Sequence, residues 1–152
     1  MKHYTLDHCA GAAAIPASHR KQIADAISAV TLKLGPGKST SLRGLLITQL
    51  KSHGWADEVR LSADSDMTIT SCKDDIGLCL QTGNMSRIYA DLMKLQAMYL
   101  DDKIKAAAII LPSQTAAKLL GSNVAQAKRL ERELAIFKKA YHVPTVVYAL
   151  EA

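Results

Sequence analysis

Cysteine, aromatic rings and long apolar runs are all scarce in this chain, and each shortage closes off a class of protein. The cysteines, Cys9, Cys72 and Cys79, are odd in number and form no Cys-x-x-Cys pair. That excludes a disulfide framework and the common zinc knuckles, and it fits a reducing, cytoplasmic location. One Trp and one Phe among 152 residues leave the core to Leu, Ile, Val, Ala and Met. No apolar run reaches the ~20 residues that a bilayer-spanning helix needs, so no membrane partner is expected. The small-residue stretch 10–17 is short, broken by Gly11 and Pro16 and preceded by Asp7, which makes it a poor signal peptide. Acidic residues are also in deficit, 14 against 19 Lys and Arg, for a net charge of +5. A mildly basic balance admits nucleic acid as a partner without specifying it. Repeats and low-complexity tracts are missing too, and 49% hydrophobic with 22% charged residues is a globular composition.

What is present is a change of hydrophobic period along the chain. Residues 1–17 show no clear period and read as an irregular N-terminal segment, ahead of a single domain over 18–152. Ser18 then caps a helix carrying Ile23, Ile27, Val30 and Leu34, which Gly35-Pro36-Gly37 stops. Ser39 or Ser41 starts a second helix with Leu42, Leu45, Leu46 and Leu50 on one face, ending near Gly54. Three short strands follow, at about 59–61, 67–70 and 76–80, with Lys73-Asp74-Asp75 turning between the last two. Asn84 or Ser86 caps a helix to about Leu100, the run 106–111 reads as a buried strand, 123–141 as a helix and 145–150 as a closing strand. The order α-α-β-β-β-α-β-α-β predicts a three-layer-like α/β sandwich around a mixed central sheet, with strand 106–111 parallel to strand 76–81.

From Ile76 the chain reads Ile-Gly-Leu-Cys-Leu-Gln-Thr-Gly-Asn-Met-Ser-Arg-Ile-Tyr-Ala-Asp-Leu-Met-Lys-Leu-Gln. This run, in that element order, resembles the PD-(D/E)XK nuclease core and, more narrowly, the restriction endonucleases of the BglII/BstYI type. The resemblance implies a restriction-endonuclease-like fold, a homodimer, duplex DNA as substrate and Mg²⁺ as cofactor. It also implies an Asp on one strand, a Glu nine residues later and then x-Gln. Gln81, Gly83, Asn84, Arg87, Tyr89, Asp91, Leu92, Lys94 and Gln96 stand where that pattern asks. The Asp and Glu positions hold Thr70 and Cys79. Hydrolysis through Mg²⁺ needs hard, charged oxygen ligands. Threonine is a weak neutral donor and cysteine a soft one that Mg²⁺ does not favour. Thr70, Cys79 and Gln81 are therefore read as a degenerate site with no resident cofactor.

Other acids stand nearby. Asp64, Asp66 and Asp74 offer an alternative, relocated Mg²⁺ site, although Asp74 and Asp75 are also ordinary turn residues and Asp64 and Asp66 ordinary strand breakers. Leu34-Gly-Pro-Gly-Lys-Ser-Thr40 carries a Gly-Lys-Ser triplet, but the first glycine of a phosphate-binding loop would fall at Leu32, so a helix–helix turn is the expected structure. His3, His8 and Cys9 fit no common zinc spacing. For DNA, the expected phosphate contacts are Lys38, Arg43, Lys73, Arg87 and Lys94. Lys128, Arg129, Arg132, Lys138 and Lys139 are interrupted by Glu131 and Glu133 and read as a solvated face.

Three functional readings follow. The first is a catalytically degenerate protein that binds DNA or a protein as an accessory or regulatory factor. The second is an active Mg²⁺-dependent endonuclease with relocated carboxylates. The third is a protein-interaction or inhibitor protein without DNA affinity.

Overall fold

A computed structural model describes residues 1–152. The elements are β1 (His3–His8), α1 (Gly11–Ala14), α2 (Ala17–Ala29), α3 (Ser39–Ser52), β2 (Val59–Arg60), β3 (Thr68–Ile69), β4 (Ser71–Lys73), β5 (Ile76–Leu80), α4 (Arg87–Leu100), β6 (Ala106–Pro112), α5 (Gln114–Leu120), α6 (Ala127–Phe137) and β7 (Thr145–Leu150). A mixed five-stranded sheet in the order β1-β7-β6-β5-β4 forms the middle layer. Strands β5, β6 and β7 run parallel, while β4 and β1 close the two edges antiparallel.

The three central strands are apolar without interruption because both of their faces are covered. Alternate residues serve opposite cores, as the two-residue period of a strand requires. Ile76, Leu78, Leu80, Ala108, Ile110, Val146 and Tyr148 pack with Ile23, Ile27, Leu42 and Leu46 of α2 and α3. Cys79, Ala107, Ile109, Val147 and Ala149 pack with Ile88, Leu92, Leu95 and Leu130 of α4 and α6. Truncating one of the buried Leu or Ile side chains to Ala would cost about 2–5 kcal/mol.

Several sequence expectations need correction. Residues 1–17 are not irregular, since β1 pairs with β7 and α1 packs behind it. The packing there is backbone to backbone: a Cβ on Gly11 would lie 2.2 Å from the Thr145 carbonyl carbon. The first long helix ends at Ala29, and Val30 is already extended at φ −75°, ψ 123°. The expected meander divides into two pairs, a separate β2–β3 ribbon and a β4–β5 hairpin in the main sheet. Asp74 and Asp75 turn that hairpin at φ 46° and 64°, the left-handed pair that a two-residue type I′ turn uses. Helix α5 had no counterpart in the sequence reading, and α6 is shorter than the expected 123–141. The segment before Ser39 is coil, so no strand leads into a phosphate-binding loop there. No helix is long and apolar enough to cross a membrane.

Candidate functional site

Ligand sites in parallel sheets lie beyond the carboxyl ends of the strands. At the carboxyl end of β5 the chain opens into a cleft of about 500 Å³. The first turn of α3 supplies Ser39, Thr40 and Arg43, and the β2–β3 side supplies Glu58, Thr68, Ile69 and Thr70. The end of β5 and its following turn supply Leu80, Gln81, Thr82 and Gly83, and one face of α4 supplies Arg87, Ala90, Asp91 and Lys94. Helical spacing puts Arg87, Asp91 and Lys94 together.

Gln81 anchors the floor. It is buried, its Oε1 accepts the Gly83 N–H at 3.1 Å, and its Nε2 donates to Asp91 Oδ2 at 3.0 Å. Asp91 Oδ1 lies 3.8 Å from Lys94 Nζ. Burial pushes the Asp91 carboxyl above its usual range, and the Gln81 hydrogen bond with the charges of Lys94, Arg43 and Arg87 opposes that shift. The Arg43 guanidinium donates to the Leu80 carbonyl, which ties α3 to the end of β5. Thr82 Oγ1 donates to the Ser39 carbonyl at 3.2 Å. The lining thus carries three cations against two carboxylates, with five hydroxyl groups between them.

The two positions where the resemblance implies carboxylates are filled differently. Thr70 Oγ1 accepts the Leu80 N–H at 2.9 Å, so it substitutes for a strand hydrogen bond at the break between β3 and β4. Cys79 is only 1% exposed and belongs to the core under α4. Burial, with the Asp91 charge second, pushes its thiol well above the ordinary range and keeps it protonated. A protonated thiol and an engaged neutral hydroxyl do not fit Mg²⁺, which needs several hard oxygen donors. Nowhere in the chain do three or more His, Cys, Asp or Glu side chains converge as a metal cage.

Of the cations expected to meet phosphate, Arg43, Arg87 and Lys94 share this cleft, whereas Lys38 is exposed just ahead of α3 and outside its lining. Lys73 is misplaced by the sequence reading. It sits opposite Ile76, at the amino end of β5, and its Nζ donates to Gln22 Oε1 at 3.0 Å and to the His53 carbonyl at 2.6 Å. The alternative carboxylates are also elsewhere. Asp74 meets His19 Nε2 at 2.8 Å, Asp66 meets Arg60 at 3.5 Å, and Asp64 is exposed in the β2–β3 connection. Glu58, the hydroxyl ring and the central place of Asp91 were missed. The Arg87, Asp91 and Lys94 spacing was the one available signal, and only the fold shows that this face turns toward Gln81.

The cleft has a braced wall. The N–H of Met85 donates to the Asn123 carbonyl at 2.9 Å, and that of Ala125 to the Gly83 carbonyl at 2.8 Å. These bonds latch the α5–α6 loop onto the β5–α4 turn. Farther along, Tyr89 Oη donates to Glu133 Oε1 at 2.9 Å, and Arg129 Nε donates to the same oxygen at 2.8 Å, joining α4 to α6. Away from the cleft, these two helices flank an apolar groove of about 580 Å³ lined by Tyr89, Leu92, Met93, Leu100, Phe137 and Tyr141, with Gln96, Ala97 and Ala140. Met93 there is 74% exposed, Leu100 65% and the neighbouring Ile136 75%. The groove thus leaves large apolar side chains exposed on adjacent helices.

Comparison with known proteins agrees with this architecture. Residues 4–150 match the sequence model of the family described as restriction endonuclease BglII/BglIII. The crystal structure of restriction endonuclease BglII complexed with a DNA 16-mer superposes with a TM-score of 0.82 at 16% identity, covering 99% of this chain and 76% of that one. Free BglII gives a TM-score of 0.79 at 14% identity, covering 100% and 80% respectively. At such identities the superpositions speak for the fold alone. No curated protein sequence matches this chain.

Proposed function

Since this chain belongs to the restriction endonuclease BglII/BglIII family, we propose that it keeps the family's DNA-directed scaffold as a binding protein and has lost metal-dependent cleavage. Its role in this reading is that of an accessory or regulatory factor on duplex DNA in the cytoplasm. One observation carries the proposal: the two positions that would hold a hydrolytic Mg²⁺ contain a hydroxyl engaged by the Leu80 N–H and a buried thiol. Losing two carboxylates also changes the charge balance. Arg43, Arg87 and Lys94 are then opposed only by Asp91 and Glu58, and a cleft with surplus cations favours a phosphate over a metal ion.

The chain's own residues would do three things. Arg87 and Lys94 offer charge-assisted hydrogen bonds to phosphate oxygens. Gln81, locked by Gly83 and Asp91, fixes the helix that presents them. The hydroxyls of Ser39, Thr40 and Thr68 add sequence-independent contacts. The exposed apolar strip of α4 and α6 supports a homodimer as the working unit.

A gel shift with duplex DNA in EDTA, repeated across a salt series, tests binding. The same duplex incubated with Mg²⁺ or Mn²⁺ tests cleavage. Salt-sensitive binding without cutting, weakened by Arg87→Ala with Lys94→Ala, is the expected result. Cutting that Asp66→Ala abolishes would replace this reading with the relocated-site enzyme. No binding at any salt would leave a pure protein-interaction role.

A further inference from the structure

We propose that Asp91 is the cleft's built-in counter-ion, an internal anion that an incoming phosphate must displace from Lys94 and the neighbouring cations. The inference rests on the DNA-binding reading above and adds how tightly the site is held in check. Two carboxylates line the cleft, and they differ. Glu58 is exposed and has no salt-bridge partner, whereas the Asp91 side chain is 14% exposed and held from two sides. The Gln81 amide grips Oδ2 at 3.0 Å and Lys94 Nζ lies 3.8 Å from Oδ1. Gln81 cannot swing away freely, because the Gly83 N–H holds its other end at 3.1 Å. The carboxylate is therefore presented in a fixed position, not on a mobile arm.

The charges around it line the same cleft. Lys94, Arg43 and Arg87 all act on the Asp91 carboxylate, opposing the penalty of its burial. A phosphodiester oxygen entering the cleft would meet that positive field with Asp91 already neutralising part of it. Electrostatics then predicts the opposite of what a positioning role predicts. If Asp91 merely held Lys94 in place, removing its charge would weaken binding. If it competes with phosphate, removing its charge strengthens binding.

The test is Asp91→Asn, which keeps the size of the side chain and an oxygen to accept from Gln81. Binding is measured by calorimetry with inorganic phosphate and, separately, with a short DNA duplex. Tightening by about tenfold at low salt is expected, shrinking as salt screens the site. Glu131→Gln, which neutralises an exposed acid outside the cleft, should change affinity by no more than about twofold. Asp91→Ala provides a second neutral variant. Carboxyl-carbon NMR of the wild-type protein gives an independent readout, because phosphate entering against Asp91 should shift its signal.

Tightening of duplex binding, alone or together with phosphate, supports the proposal. Tightening for inorganic phosphate with no duplex binding keeps the counter-ion role and removes the DNA reading. Unchanged or weaker binding in both neutral variants, with wild-type duplex binding intact, overturns the proposal and leaves the DNA reading standing. A wild-type protein that binds neither probe overturns both.

Discussion

Placing a carboxylate at position 79 is the sharpest probe of the proposal that this site has lost its metal. Cys79 is 1% exposed, packs under α4 beside Leu92 and Leu95, and has Asp91 as its charged neighbour. Cys79→Glu inserts a longer side chain into a filled core, which costs about 1–3 kcal/mol. It also buries an unpaired carboxylate next to an existing one, worth about 3–5 kcal/mol. The combined loss, about 4–8 kcal/mol, is a large share of the ~5–15 kcal/mol that holds a domain together. For a chain of this length it lowers the melting temperature by roughly 10–30 °C. Cys79→Ala, which deletes only the sulfur, should cost about 1–2 kcal/mol. Circular dichroism melts in EDTA measure both. The double variant Thr70→Asp with Cys79→Glu keeps an acceptor for the Leu80 N–H and supplies two hard ligands. Mg²⁺ should raise its melting temperature, by about 2.7 kcal/mol of stabilisation at a hundredfold excess over the dissociation constant, and leave the wild type unmoved. A Cys79→Glu protein that melts within a degree or two of wild type in EDTA would refute the claim that position 79 is closed core under α4.

Three further outcomes follow from the same geometry. Replacing Arg87 and Lys94 by Ala should lower the slope of log affinity for DNA against log salt by about two, at ~0.9 for each phosphate contact; Lys73→Ala should leave the slope alone and lower stability, because Lys73 holds Gln22 and the His53 carbonyl together. The Asp91 carboxyl titrates higher in the folded chain than in the unfolded one, so the native state binds more protons between the two values and stability falls as pH rises through that window. Urea denaturation at stepped pH should show that fall in the wild type and lose it in Asp91→Asn. On the apolar strip, Met93→Lys with Ile136→Lys should convert a sedimenting dimer to monomer while the far-ultraviolet spectrum is retained; a monomeric wild type would sink the dimer.

Legibility followed burial. Strands β6 and β7 are buried on both faces and show as unbroken apolar runs, and α4 shows its period because one face is fully covered by the sheet. Strand β1 was missed because it is an edge with exposed polar residues, and its register comes from β7, far along the chain. Helix α5 has seven residues, too few for a period to declare itself. The Gln81-to-Lys94 run lies on the turn and helix that line the cleft, and Arg43, Arg87 and Lys94 meet there. Lys73 and Asp74 stand close to Gln81 in sequence, yet the hairpin reverses the chain and leaves them at the opposite end of β5. Proximity along the chain misleads wherever a strand's length separates two residues.

The sheet order also bears on the sequence of events in folding. Strand β7 follows every other strand in the chain, yet it takes an interior slot between β1 and β6. As the polypeptide is made, His3–His8 leaves the ribosome ahead of the other strands and waits for a neighbour about 140 residues away. Until Thr145–Leu150 arrives, β6 presents a bare hydrogen-bonding edge and the two faces beside it lack Val146, Val147 and Tyr148. Contacts of such long range are slow to form, and an open apolar edge invites pairing with other chains. Pairing of the closing strand is thus the longest-range step in building the sheet, and the edge of β6 stays open until it is made.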